Sequence, residues 1–268
     1  VKYDPRSIIN ITKSDKFPNQ RTTEMKVDKN NNLWVATEGD GLVQIVNESI
    51  KNIITIKDGL RSNVILDIDI DQYDNIWLAT PSGLSKYDGR KITNYTTKDG
   101  LPTDYINALY IDSNGIKWLM TEKGLVKFNG VDVVVYDEKN GLFVNRDVGN
   151  QSALRAMYIE GGPDNKLVLG FHNIGISIFN GSDFINYDIE NGLIDLRIRG
   201  VDYDSEGNIW VGTEGSGVFM FDGQNFKRFT TRDGVTNDEI FHLFVDDFDK
   251  IWVGTWGGGV GFYDGEVW

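Results

Sequence analysis

The chain has 268 residues with 27 basic and 40 acidic side chains, which gives a formal net charge of −13. Such a charge excludes nucleic acid and anionic membranes as favoured partners, because the electrostatic field of the protein repels both. The absence of cysteine excludes disulfides and cysteine-bound metals, and the absence of a long apolar run or a leader predicts no membrane insertion and no signal peptide in this segment.

A short motif with a central Trp recurs along the whole chain. Its clearest copies are Asn208–Thr213 and Lys250–Thr255, and the Trp position falls at residues 34, 77, 118, 210 and 252, with Val168 in the fourth copy. The spacing of about 42 residues indicates a repeat protein in which each unit buries its apolar faces against its neighbours. We therefore predict a single domain over residues 1–268, built from six units.

Each unit contains four short β-like runs separated by turn residues. In the third unit these runs are Tyr105–Ile111, Lys117–Thr121, Gly124–Phe128 and Val131–Tyr136. Asx and Gly residues between the runs are typical of hairpin turns, and a four-stranded meander at this spacing is typical of a propeller blade. The sequence predicts an all-β fold, a six-bladed β-propeller of four-stranded antiparallel blades, with seven blades as the alternative.

The two ends of the chain and the fourth unit depart from the regular repeat. The chain begins and ends at the same place in the repeat, so we expect the N-terminal strand Ile8–Ile11 to complete the last blade and close the ring. A start within a strand also suggests a mature or excised form. About eight extra residues lengthen the fourth unit, partly at Phe143–Leu154 and partly in the turn Gly161–Asn165, and such an insertion is typical of a binding loop.

The repeat resembles a known family on the following residues. An Asp-Gly-Val turn at Asp233–Val235 precedes Asn237, Asp249–Thr255 carries the Trp motif, and Gly259-Val260 and Tyr263-Asp264 follow. This pattern resembles the two-component regulator propeller repeats of periplasmic sensor domains. The resemblance implies a periplasmic or extracellular input domain, with a histidine kinase region in the parent protein as a possible partner.

Few residues suggest catalysis or a metal site. The motif Trp residues are expected in the core, and the Asp-rich turns are expected to be plain Asx turns because they lack a calcium-loop ligand set. Cysteine is absent and there are two histidines, so His172 with Glu214 is the candidate acid–base pair. We predict no enzyme activity, no cofactor and no metal.

The residues that break the repeat form the predicted ligand site. Alignment of the first strands places Arg155 and Arg199 in adjacent blades, where two guanidinium groups could bind a carboxylate or sulfate. The alternative is that they form ion pairs with Asp195, Glu160 or Asp202. Trp256 is either a stacking platform or a shield at the blade junction. The complete predicted site is Arg155, Arg199, Arg146, His172, Trp256 and His242.

These features predict a non-catalytic binding or sensing propeller. The expected ligand is a small molecule or an oligosaccharide. We expect it to bind on the face formed by the connections that lead from the last strand of one unit to the first strand of the next. Two other functions stay open: a protein–protein interaction scaffold, and a propeller lyase or hydrolase. A broad apolar patch would favour the scaffold, whereas a converging His, Glu and metal would favour the enzyme.

Overall fold

The computed structural model describes residues 21–143 and 156–268. Contacts within the chain divide it into two compact units, with the division after Gly115. The predicted closing strand Ile8–Ile11 lies outside the described residues, as do Arg146 and Arg155. The prediction of a single domain over residues 1–268 stays a prediction.

The first unit contains two complete four-stranded antiparallel sheets and one further strand. The first sheet has the order β1-β2-β3-β4 and the second β5-β6-β7-β8. The strands are β1 Thr22–Val27, β2 Leu33–Thr37, β3 Leu42–Val46, β4 Ser49–Ile54, β5 Asp67–Ile70, β6 Ile76–Thr80, β7 Gly83–Tyr87, β8 Ile92–Tyr95 and β9 Ile106–Ile111. Buried side chains of both sheets form one core cluster, which includes Trp34, Ile65 and Leu78.

The second unit repeats the same antiparallel pattern. Its strands are β10 Lys117–Thr121, β11 Gly124–Phe128, β12 Val133–Tyr136, β13 Ala156–Gly161, β14 Leu167–Phe171, β15 Gly175–Phe179, β16 Phe184–Tyr187, β17 Ile198–Tyr203, β18 Ile209–Thr213, β19 Val218–Phe221, β20 Phe226–Phe229, β21 Ile240–Val245, β22 Ile251–Thr255 and β23 Gly259–Tyr263. The sheets β13–β16 and β17–β20 have four strands each, and β21–β23 form a three-stranded sheet in the described part of the chain.

The strand order confirms the predicted fold class, an all-β six-bladed β-propeller with four-stranded antiparallel blades. The strands predicted for the third repeat agree with β9 to β12 to within two residues, the largest difference being a start at Val133 instead of Val131. Within the described residues, no helix has the length and apolar character needed to cross a membrane.

An aspartate fixes the hairpin before the motif Trp and also binds the indole. In the fifth blade Asp204 Oδ1 accepts hydrogen bonds from the backbone N–H groups of Glu206 and Asn208. The other oxygen, Oδ2, accepts from Trp210 Nε1 at 2.8 Å. The predicted Asx turn is therefore present, and its carboxylate also satisfies the polar end of a buried Trp. The same Asp–Trp bond occurs at Asp28, Asp71 and Asp246.

A capped turn leads from each blade to the first strand of the next. Before β21, the short 3₁₀-helix Thr231–Asp233 begins at Thr230, whose backbone N–H donates to Asp233 Oδ2 at 2.8 Å. The turn ends at Gly234 with φ of +107°, and Val235 is buried behind it. The Asp-Gly-Leu-type motif is thus a helix cap followed by a core residue.

Candidate functional site

A β-bulge interrupts the first strand of each of the last three blades near its beginning. In β17 the register shifts between Ile198 and Gly200, which leaves Arg199 as the extra residue. The corresponding extra residues are Met157 in β13 and Phe241 in β21, and β17 packs beside both of these strands. The predicted alignment of Arg155 with Arg199 is therefore wrong, because Met157 holds that position in the lengthened fourth unit.

Arg199 is bound to a carboxylate of the loop that follows β18. Its Nε donates to Glu214 Oε2 at 2.9 Å, and Nη2 donates to the same oxygen. The Arg199 side chain is 26% exposed, and two of its three guanidinium nitrogens bind this one oxygen. These hydrogen bonds hold the pKa of Glu214 below its usual value. Arg199 is thus paired with Glu214, a partner that the sequence did not suggest for it. The clamp of Arg199 with Arg155 stays a prediction, since Arg155 lies outside the described residues.

His172 meets the same glutamate from the neighbouring blade. Its Nε2 lies 3.5 Å from Glu214 Oε2, at the long end of hydrogen-bonding distance. The structure therefore brings together His172 and Glu214, as the sequence suggested for an acid–base pair. The same carboxylate oxygen also binds Arg199, so three predicted side chains meet at one point.

Arg197 is a site residue that sequence reasoning missed. Its Nε and Nη2 each donate to the Asp195 carboxylate at 3.1 Å, which is a bidentate ion pair. The Asp195 carboxylate raises the pKa of Arg197, with smaller contributions from Glu214 and Glu239. Only the register of β17 with β18 reveals its place, because extending that register by one residue puts Arg197 directly opposite Glu214.

Five residues from three blades lie side by side in what we name the recognition row. Isolated antiparallel bridges join His172 to Arg197 and Glu214 to Glu239. Backbone hydrogen bonds join the other neighbours, from Glu214 N to Arg197 O at 3.0 Å and from Trp256 N to Glu239 O at 2.9 Å. Residues directly opposite in such pairs project from the same face, with Cβ atoms about 4.5–5.5 Å apart. The row is His172, Arg197, Glu214, Glu239 and Trp256.

Trp256 ends the row as an exposed but anchored aromatic side chain. It is 68% exposed, and its ring centroid lies 6.3 Å from that of Phe241, which is 46% exposed. The backbone carbonyl of Trp256 accepts a hydrogen bond from Asn237 Nδ2 at 2.7 Å. Both polar groups of the Trp256 backbone are thus engaged, so the backbone that carries the exposed ring is held in place.

His242 is the remaining predicted site residue within the described part of the chain. It lies in β21 opposite Gly254, just beyond the bulge at Phe241. Its ring meets Tyr158 edge-on, with centroids 6.4 Å apart. His242 is therefore outside the recognition row, although its strand β21 begins directly after Glu239.

Comparison with known proteins supports the sequence resemblance. The family model described as "Two component regulator propeller" matches residues 192–215, which span β17 and β18. The predicted resemblance to these repeats is confirmed over that stretch, which includes Arg197, Arg199 and Glu214. A comparison with curated proteins finds no match.

Several solved structures share the fold. The extracellular domain of the hybrid two component system BT3049 from B. thetaiotaomicron is 20% identical with a TM-score of 0.65, covering 91% of this chain and 40% of that one. The extracellular domain of the one component system BT4673 from the same organism is 18% identical with a TM-score of 0.71, covering 95% of this chain and 34% of that one.

An enzyme is also among the structures with this fold. Catalytically inactive virginiamycin B lyase from Staphylococcus aureus, solved with quinupristin, is 14% identical with a TM-score of 0.71, covering 94% of this chain and 84% of that one. This chain spans less than half the length of the two regulator domains. At these identities the likeness shows the fold alone.

Proposed function

We propose that this chain is a non-catalytic ligand-binding propeller of the extracytoplasmic input region of a two-component regulatory system. The match of residues 192–215 to a regulator propeller model supports this proposal, as does the likeness to extracellular domains of regulatory systems. The proposed location is the periplasm or the cell exterior. A histidine kinase region of a longer parent protein is the proposed signalling partner.

The observation that carries the proposal is the anchored, exposed Trp256 at the end of a polar row. An aromatic ring held in place can stack on a ligand without a large loss of conformational freedom on binding. The adjoining Arg, Glu and His side chains supply donors and acceptors that fix a ligand's orientation. This combination suits a small polar molecule or an oligosaccharide, whose ring faces stack while its hydroxyl groups form hydrogen bonds.

Calorimetric titration with a panel of neutral and acidic oligosaccharides tests the proposal. We expect at least one to bind, and we expect Trp256→Ala to weaken that binding by about fivefold or more, since a stacked aromatic contributes on the order of 1 kcal/mol or more. Arg199→Ala should weaken it as well, because Arg199 orients Glu214. Phe248→Ala is the matched control, since Phe248 is 78% exposed but lies beyond the far end of β21.

Failure to bind any member of the panel would contradict the glycan ligand, and equal losses in Trp256→Ala and Phe248→Ala would contradict the proposed site. A broad loss of folding in a variant would show as a changed thermal unfolding midpoint. Variants with unchanged midpoints therefore report on binding alone.

A lyase function is the second candidate because His172 and Glu214 approach within 3.5 Å. Against it, the hydrogen bonds from Arg199 keep the pKa of Glu214 low, which makes this carboxylate a weak base. Turnover of a cyclic or uronic-acid-containing substrate that is abolished by His172→Ala would favour the enzyme. Binding of the same compound without turnover would favour the sensor.

A further inference from the structure

Two carboxylates of the recognition row lie directly opposite each other. Glu214 and Glu239 form an antiparallel bridge, and like charges in such a pair are destabilising. Glu214 is compensated by Arg199, whereas Arg197, on the other side of Glu214 from Glu239, is held by Asp195 in a bidentate ion pair. Glu239 is exposed and makes no side-chain hydrogen bond or ion pair with the part of the chain that the structure describes.

The charges around the row therefore sum to a net negative value. Arg197 and Arg199 contribute two positive charges, against three negative charges from Asp195, Glu214 and Glu239 when His172 is neutral. The field of the whole chain, with its net charge of −13, has the same sign. An anionic ligand would be repelled here, whereas a cation would be attracted and would relieve the repulsion between the two glutamates.

One side chain links the backbone of Glu239 to that of Trp256. Asn237 Nδ2 donates to the carbonyl of Trp256 at 2.7 Å, and Asn237 Oδ1 accepts from the backbone N–H of Glu239 at 3.0 Å. Glu239 and Trp256 are also directly opposite in the extended register of β21 with β22. The rings of Trp256 and Phe241 are tilted by 38° to each other, and both are exposed.

We infer that this end of the recognition row binds the ammonium group of an organic cation, between the Glu239 carboxylate and the aromatic faces of Trp256 and Phe241. Aromatic faces attract cations through their quadrupole, and alkylated ammonium groups combine this attraction with apolar contact. The inference rests on the proposed function, since it assigns a ligand class to the same row. An amine or quaternary ammonium compound fits this charge pattern better than a carboxylate or sulfate.

Choline and its uncharged analogue, in which carbon replaces the quaternary nitrogen, are the probes that test the inference. Both have the same shape, so a difference between them measures the role of charge. The readout is the indole N–H signal of Trp256 in NMR titrations, assigned by its loss in Trp256→Phe. We expect choline to shift this signal and to bind about tenfold more tightly than the analogue, because a desolvated cation–aromatic contact beside a carboxylate is of that strength.

Glu239→Gln keeps the shape of the side chain and removes its charge, so it should abolish most of the preference for choline over the analogue. Glu190→Gln removes an exposed carboxylate from another part of the same unit and should leave the preference unchanged. Equal binding of the two probes, or an unchanged preference in Glu239→Gln, would overturn the inference.

The inference and the proposed function fail in different experiments. Oligosaccharide binding that depends on Trp256, together with equal affinity for choline and its analogue, would retain the sensor and reject the cation site. Selective choline binding without binding to any oligosaccharide of the panel would support the cation site and reject the glycan ligand.

Discussion

Asp67 should make the first unit less stable as the pH rises toward neutrality. Its Oδ2 accepts a hydrogen bond from the backbone N–H of Leu109 at 2.7 Å, which ties β5 to β9. Burial raises the pKa of Asp67 from 3.8 to about 7, and the nearby Glu24 carboxylate adds to this effect. The hydrogen bond from Leu109 and the charge of Lys26 act in the opposite direction. The folded chain therefore keeps a proton on Asp67 that the unfolded chain releases.

The sign and size of the effect follow from proton linkage. Because the folded pKa lies above the unfolded one, the folded state binds more protons between pH 3.8 and about 7, and the free energy of unfolding falls as pH rises through that window. The full shift corresponds to a ceiling of about 4 kcal/mol. Asp67 keeps partial access to solvent, so we expect a loss of about 2 kcal/mol between pH 5 and pH 8 after allowance for screening.

Urea unfolding of the wild type and Asp67→Asn at a series of pH values from 5 to 8 measures this loss. The amide side chain keeps an oxygen that can accept from Leu109, so the variant should fold. Between pH 5 and pH 8 its free energy of unfolding should fall by about 2 kcal/mol less than that of the wild type. Hydrogen exchange at the Leu109 amide locates the effect in the first unit. Asp247→Asn, at an exposed carboxyl group, controls for the loss of one negative charge.

All other titrating groups are common to the wild type and Asp67→Asn, so the difference between their pH slopes isolates Asp67. Parallel slopes would refute the reasoning. A steeper slope in Asp67→Asn than in the wild type would refute its sign.

Two stability predictions concern the repeat itself. Asp204→Ala removes the turn acceptor and leaves the Trp210 indole N–H unsatisfied, so the free energy of unfolding should fall by about 3 kcal/mol, whereas Asp204→Asn should cost about half as much. Gly175→Ala should cost more than about 3 kcal/mol or prevent folding, because φ is +124° and a Cβ would lie 2.2 Å from the carbonyl oxygen of Tyr187. Gly181→Ala, at φ of +104° with open space around it, should cost about 1 kcal/mol. Urea titrations compare the four variants with the wild type, and equal losses within either pair would contradict the corresponding argument.

The sequence by itself determined the blades and most of the core. The Trp motif, the Asx turns and the capped turns are each formed by residues close together in the chain, so one repeat carries the information for its own strands and hairpins. The predicted burial of the motif Trp holds at Trp34, Trp77, Trp118 and Trp210, whereas Trp252 is partly exposed. Five of the six motifs end in a Thr whose hydroxyl donates to a backbone carbonyl across the strand end, as Thr213 does to Gly217 O at 2.9 Å.

The tertiary structure decided which charged residues of the site meet. Glu214 lies one full repeat from His172 and 15 positions from Arg199, and neither distance along the chain predicts that all three share one oxygen. The bulges of β13 and β17 lie at the same place and the hairpins that follow have the same length, so Met157 is the counterpart of Arg199 in the fourth unit. Alignment by sequence placed some of the extra residues of that unit in the hairpin and therefore chose Arg155. Bridges between loops of adjacent blades then assembled the recognition row, because lateral pairing depends on how sheets pack and not on the order of residues within a repeat.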